Sequence, residues 1–192
     1  MDSKAQLVDL ILRKSYREGD FTLSSGQKSS FYIDLKATTL SASGAHWIGK
    51  LALDELRRAG ILWRISGVGG LTLGADPIAT AVSLSSLGVA GGPEGIPAFI
   101  VRKESKGHGT SRFIEGLENL PAHSGLLIVE DVSTTGKSAM QAVDKVRDSG
   151  FHVVGVLSVV DREQGAREFF LGRGIPFLSL VTLSDLKSRY PR

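Results

Sequence analysis

Apolar residues recur at helical spacing near the start of the chain, at Leu7, Leu10 and Ile11, and Gly19 follows. Residues from about Ser3 to Arg17 therefore predict a helix ended by a glycine. Two short β-like runs come next, Phe21-Thr22-Leu23 and Phe31-Tyr32-Ile33, with a polar turn from Ser24 to Ser30 between them. A second helix fits Ala42 to Arg58, with Ile48, Leu51, Ala52 and Leu56 on one face and Gly60 just past its end. Beyond it the rhythm changes to strand, glycine-bearing loop and helix, repeated. Ile65 to Val68 leads through Gly69-Gly70 to a helix around Ala75 to Leu87. Apolar runs follow at Ile96 to Val101, Leu126 to Val129, Val153 to Val160 and Pro176 to Val181, and helical patterns at Lys137 to Asp148 and Glu163 to Leu171 separate the last three. Near-continuous apolar strands alternating with helices predict a parallel sheet covered on both faces. The expected fold class is α/β, a doubly wound, mainly parallel sheet with a small N-terminal appendage, and residues 1–192 read as one domain.

Composition narrows the chemistry. The absence of cysteine excludes a disulfide framework, a thiolate zinc site, an iron–sulfur cluster and a cysteine nucleophile. With 23 basic and 20 acidic residues the net charge is only +3, too small for a nucleic-acid footprint unless the basic residues cluster. His46, His123 and His152 have no metal-ligand spacing, and no dedicated protein metal site is expected. Trp47 and Trp63 read as core or interface residues. The polar first 18 residues lack a secretory apolar core, and no run approaches membrane-spanning length, so the expectation is a cytoplasmic protein with no membrane or nucleic-acid partner.

In a doubly wound sheet, ligands bind outside the carboxyl ends of the strands. The most informative loop follows Val129: Glu130-Asp131-Val132-Ser133-Thr134-Thr135-Gly136-Lys137-Ser138, two acids, then hydroxyls and glycine, then a helix. Backbone N–H groups at that helix start, with the neighbouring hydroxyls, suit a phosphate monoester. The adjacent carboxylates would repel phosphate but can accept hydrogen bonds from vicinal hydroxyls, so the pair of features suggests a ribose 5-phosphate. Gly136-Lys137-Ser138 is not a triphosphate-binding loop, because Asp131 stands where that motif needs glycine. Likewise Thr72 stands where the dinucleotide fingerprint begun at Gly67 needs its third glycine.

A second informative stretch runs from Arg102 to Arg112, basic, punctuated by Gly107 and Gly109, too polar to pack and too long for a simple turn. A basic loop over a diphosphate would stabilise the charge that grows on this leaving group as its bond to the ribose breaks.

The segment from Glu130 to Ser138 resembles the phosphoribosyl-diphosphate signature of the type I phosphoribosyltransferases. The Arg-Lys-x-x-Lys-x-His-Gly pattern at Arg102 is similar to the orotate branch of that family, and the segments Phe21 to Gly26 and Ser30 to Asp34 resemble its orotate-side segment. The resemblance implies the type I phosphoribosyltransferase fold and transfer of a 5-phosphoribosyl group from 5-phosphoribosyl 1-diphosphate (PRPP) to orotate, giving orotidine 5′-phosphate and diphosphate in pyrimidine synthesis. It implies that Arg102, Lys103, Lys106 and His108 bind the diphosphate, with Lys106 the principal catalytic lysine. Glu130 and Asp131 would hold the ribose hydroxyls and Val132, Ser133, Thr134, Thr135, Gly136, Lys137 and Ser138 the 5-phosphate, while Asp131 assists electrostatically at the ribosyl cation. Thr134 and Arg162 would contact orotate, the latter pairing its guanidinium with the carboxylate. Mg2+ is implied, held by diphosphate, ribose hydroxyls and water. A homodimer in which the basic loop reaches the neighbouring subunit's site is implied as well. Two departures stand out. Ser24 replaces a lysine found in many members, leaving Lys28 or Lys36 as substitutes, and Gly69-Gly70-Leu71-Thr72 lacks a Tyr-Lys pair, leaving diphosphate contacts there to backbone amides. The rival readings are a phosphoribosyltransferase for another base and a PRPP-sensing regulator. The first 20 residues are too few for the DNA-binding unit a regulator needs.

Overall fold

The computed structural model describes residues 2–22, 28–90, 92–104 and 113–190. Helix α1 spans Ser3–Lys14, started by the Asp2 side chain, which accepts the Lys4 N–H, and it buries Leu7, Val8, Leu10 and Ile11. It is shorter than its apolar spacing predicts. The fully buried Tyr16 packs its ring against Phe31 and Tyr190, and this draws the chain out of the helix and into strand β1 (Tyr16–Thr22). Gly19 therefore lies within the strand, where the pairing with β2 (Lys28–Ile33) slips between Glu18 and Phe21. This antiparallel pair is the N-terminal appendage, a sheet separate from the main one. A single turn of helix, α2 (Lys36–Thr39), leads to α3 (Ala42–Arg58), whose bounds coincide with the predicted ones.

The main sheet has six strands in the order β5-β4-β3-β6-β7-β8. They are β3 (Gly67–Leu71), β4 (Ala98–Val101), β5 (Ile114–Glu115), β6 (Gly125–Ser133), β7 (His152–Asp161) and β8 (Phe177–Thr182). Every pairing is parallel except β4 with β5. Helix α4 (Asp76–Ser85) joins β3 to β4, α5 (Lys137–Asp148) joins β6 to β7, α6 (Ala166–Leu171) joins β7 to β8, and α7 (Leu183–Arg189) follows β8. Alternation along β6 divides the core in two. Leu127 and Val129 pack with Ile78 and Val82 of α4 and with α1 and α3. Leu126 and Ile128 pack with Ala142, Val143 and Val146 of α5 and with Phe170 of α6. The expected doubly wound arrangement is therefore present, and the two crossovers leave the central pair β3 and β6 toward opposite faces. That is the place where such sheets open a crevice.

Three expectations need correction. Gly69 and Gly70 belong to β3 and not to a loop, because the sheet approaches itself there so closely that a Cβ on Gly69 would strike the Phe99 carbonyl and one on Gly70 the Val129 carbonyl. Strand β6 runs four residues past Val129 to Ser133, since its ladder with β7 continues to the pair Ser133 and Asp161. Helix α6 begins at Ala166 instead of Glu163, whose positive φ of 57° and whose contacts with Ser184 hold it in a turn.

Candidate active site

The central crevice holds a cleft of about 430 Å3, lined by Leu71 to Ala75 after β3, by Val129 to Asp131 at the end of β6, by Ser138 at the start of α5, and by Lys36 and Lys103. It brings both predicted acids to one space by different routes. Glu130 looks toward the start of α5, where it hydrogen-bonds with the Ser138 side chain and the Ala139 backbone. Asp131 looks toward the turn after β3, and a Cβ on Gly74 would stand 3.0 Å from its carboxyl carbon, so glycine there leaves the carboxylate room. Asp131 Oδ1 also accepts the Val132 N–H at 2.8 Å.

Burial pushes the Glu130 carboxyl up to about 7, and the neighbouring Asp131 charge adds to the rise; the Ser138 and Ala139 hydrogen bonds oppose both. Its Oε2 is buried with no hydrogen-bond partner. A buried, unpartnered carboxylate oxygen is costly unless a ligand satisfies it, and hydroxyl donors of a sugar suit the role.

Thr134, Thr135 and Gly136 form the link between β6 and α5, and Gly136 has φ 80° with no side-chain cap on the helix. The helix start is left open to an anion. Lys137 and Ser138 are exposed on its first turn, and Thr134 is half-buried. Val132 and Ser133, predicted to be in the loop, are instead the last residues of β6, paired with Val160 and Asp161. The Ser133 N–H donates to Ser158 Oγ at 3.1 Å, while Ser133 Oγ is buried without a partner.

Arg162 lies one strand away. Its N–H donates to the Ser133 carbonyl at 2.9 Å, joining the ends of β7 and β6. Its guanidinium carbon stands 4.7 Å from the centre of the Phe31 ring on β2, and Nε is buried without a partner. Lys187 of α7 reaches the same ring at 5.4 Å. The appendage thus walls one side of the strand-end crevice. Burial lowers the Arg162 pKa, because desolvation disfavours the charged guanidinium.

Lys103 lines the central cleft, whereas Arg102 beside it pairs with Glu115 at 3.2 Å. Lys106 and His108 lie outside the described residues, as does Ser24. Lys28 is on β2, and Lys36 lies in the cleft, where the charge of Asp131 helps its bond with Asp34 to raise its pKa. Sequence reasoning gave Lys36 only a substitute's role, put Phe31 in the segment resembling the orotate side without its contact to Arg162, and missed the Thr72–Ala75 turn. Thr72 Oγ1 donates to Asp76 Oδ2 at 2.6 Å across that turn, and the Thr72–Leu73 peptide is cis. The only signal was Asp76-Pro77, an acid and a proline opening a helix. Among the described residues no group of three or more His, Asp or Glu side chains is placed to hold a metal, and no helix is long and apolar enough to cross a membrane.

No family model matches the chain. An orotate phosphoribosyltransferase of Nostoc sp. is 49% identical over 187 residues, spanning 97% of this chain and 86% of the relative. Among solved structures, Mycobacterium tuberculosis orotate phosphoribosyltransferase in complex with Fe(III) dicitrate superposes with a TM-score of 0.80 at 44% identity, over 96% of this chain and 98% of that one. The same enzyme in complex with PRPP superposes with a TM-score of 0.77 at 41% identity, over 96% and 99%. Identity at this level along nearly the whole of both chains carries the type I fold and the family together: the chain belongs to the orotate phosphoribosyltransferases.

Proposed function

We propose that this chain transfers the 5-phosphoribosyl group of PRPP to orotate, and that the central cleft is where it does so. The observation that carries the reading is the end of β6, where two acids face the same cleft as an uncapped helix start. Glu130 and Asp131 accept hydrogen bonds from the ribose hydroxyls. Thr134, Thr135, Gly136 and Lys137 surround the 5-phosphate, the backbone N–H groups of α5 supplying donors and the helix dipole a favourable field. Ser138 serves less directly, through its bond to Glu130. Val132 and Ser133 carry the link from sheet to cradle.

Transfer makes a bond from a ring nitrogen of orotate to the anomeric carbon and breaks the bond from that carbon to diphosphate, whose oxygen leaves with the electron pair. The charge of orotate sits on its carboxylate, so the proton of the attacking ring nitrogen leaves as well, and the departing diphosphate oxygen is the base that can take it. Asp131 lies where its charge offsets the positive charge developing on the ribosyl ring. Lys103 meets the diphosphate from the cleft wall. Arg102, Lys106 and His108 complete the set, Arg102 by exchanging Glu115 for phosphate oxygens. Arg162, with a buried unpartnered Nε, receives the orotate carboxylate beside Phe31, and Thr134 is the second residue assigned to orotate. Mg2+ belongs to the substrate in this reading, held by diphosphate, hydroxyls and water, and it neutralises the leaving group; an acid pair turned to a diol fits that division better than a protein cage would.

The chain works as one domain and as a homodimer. Leu40, Leu73 and Leu84 are 72%, 74% and 68% exposed and border an apolar groove of about 600 Å3 that adjoins the cleft through Lys36 and Leu73. A second copy seated there would lie within reach of the cleft. Membrane-impermeant phosphorylated substrates assign the reaction to the cytoplasm. The test is an assay of orotate consumption with PRPP and Mg2+, repeated with adenine, hypoxanthine and uracil. Turnover of orotate alone is expected, and turnover of a purine but not orotate would overturn the assignment.

A further inference from the structure

We propose that Lys145, outside the cleft, is a positioning residue that aims Lys103 at the diphosphate. The inference rests on the proposed reading of Lys103 as a diphosphate ligand. Lys145 sits in the last turn of α5, and its ammonium donates to two consecutive carbonyls, those of Arg102 at 2.7 Å and Lys103 at 2.8 Å. The same ammonium lies 4.4 Å from the centre of the Phe113 ring. A single charge therefore holds both the chain leaving β4 and the chain returning toward β5.

The two sides are also bound to each other, by the Arg102 N–H donating to the Phe113 carbonyl at 2.7 Å and by the Arg102–Glu115 pair. Those contacts join the sides but leave the peptide that follows Arg102 free to turn. Holding both carbonyls from one point fixes the two peptide planes that flank Lys103, and with them the direction in which its side chain departs toward the cleft. Helix α5 presents the phosphate cradle at its first turn and this clasp at its last. One rigid element thus sets the spacing between the groups assigned to the two ends of PRPP. Small misplacements of a substrate-binding group can cost on the order of a hundredfold in rate.

The experiment compares Lys145→Met, Lys145→Arg, Lys103→Ala and the Lys103→Ala/Lys145→Met double variant by steady-state kinetics, with thermal unfolding as a control on folding. Methionine keeps an apolar stem against Phe113 and removes the donors; arginine keeps donors for both carbonyls. For Lys145→Met we expect kcat/KM for PRPP to fall about tenfold, KM for orotate to change less than about twofold, and Lys145→Arg to recover most of the loss. In the Lys103→Ala background the same change should cost less than about threefold, because it acts through the side chain already removed. An equal loss in both backgrounds, a loss shared equally by orotate, or no loss at all would overturn the proposal. If Lys103→Ala itself leaves PRPP kinetics untouched, the diphosphate reading fails first and the proposal falls with it.

Discussion

Glu130 is a carboxyl group that burial pushes up to about 7 and whose Oε2 has no partner. Only the ionised form can accept on both oxygens, so kcat/KM for PRPP should rise with pH through a step near 7, the free-enzyme value such a profile reports. Glu130→Gln should remove the step and lower kcat/KM at pH 8 by tenfold or more. Stability should move the other way. A carboxyl whose folded pKa lies above its unfolded value stabilises the fold most at low pH, and that contribution is lost as pH rises from about 4.5 to about 7. At about 1.4 kcal/mol per pKa unit the loss is roughly 3 kcal/mol at the upper end. Denaturant unfolding across that range should find a slope in the native protein and a flatter profile in Glu130→Gln. The adjacency of Glu130 and Asp131 is plain in the sequence. That one is buried against α5 while the other faces Gly74 is not, because it depends on which neighbours the strand end meets.

Among the elements, α5 opens on the proposed phosphate cradle, and its bounds match the periodicity of Ala139, Ala142, Val143 and Val146. Both α3 and α5 were legible because each buries one clean apolar stripe. Helix α1 was overextended, because the burial of Tyr16 against Phe31 and Tyr190 outweighs the local helical pattern. Strand β6 was cut short, because the acids that end its apolar run still pair with β7. Gly69 and Gly70 were placed in a loop after the strand, whereas they lie within β3, where close sheet packing requires them. Gly136 does meet a conformational demand, with φ 80°, and a Cβ there would stand 2.7 Å from Phe170 and 3.0 Å from Phe169. Gly136→Ala should therefore destabilise the protein by about 1–3 kcal/mol and raise KM for PRPP more than KM for orotate, read by thermal unfolding and steady-state kinetics.

At the scale of the whole molecule, strands and helices alternating along the chain sufficed to predict a doubly wound sheet, and that architecture points to the strand ends as the place for ligands. The N-terminal hairpin was placed on the orotate side by resemblance alone; the apolar pattern could not show its contact with Arg162, because Phe31 meets that residue only once the fold brings β2 to the end of β7. The exposed Leu40 just past α2, Leu73 before α4 and Leu84 within α4 bear on assembly. Leu84→Arg places a charge in the apolar groove; if the proposed homodimer forms there, sedimentation should find the native protein dimeric and the variant monomeric, with turnover reduced if the basic segment serves the neighbouring subunit. The most direct test of the account is a crystal structure with PRPP bound. The ribose hydroxyls are predicted within hydrogen-bonding distance of Glu130 and Asp131, with the 5-phosphate against the backbone N–H groups that open α5. A sugar held elsewhere, with the Glu130 carboxylate still unpartnered, would contradict it.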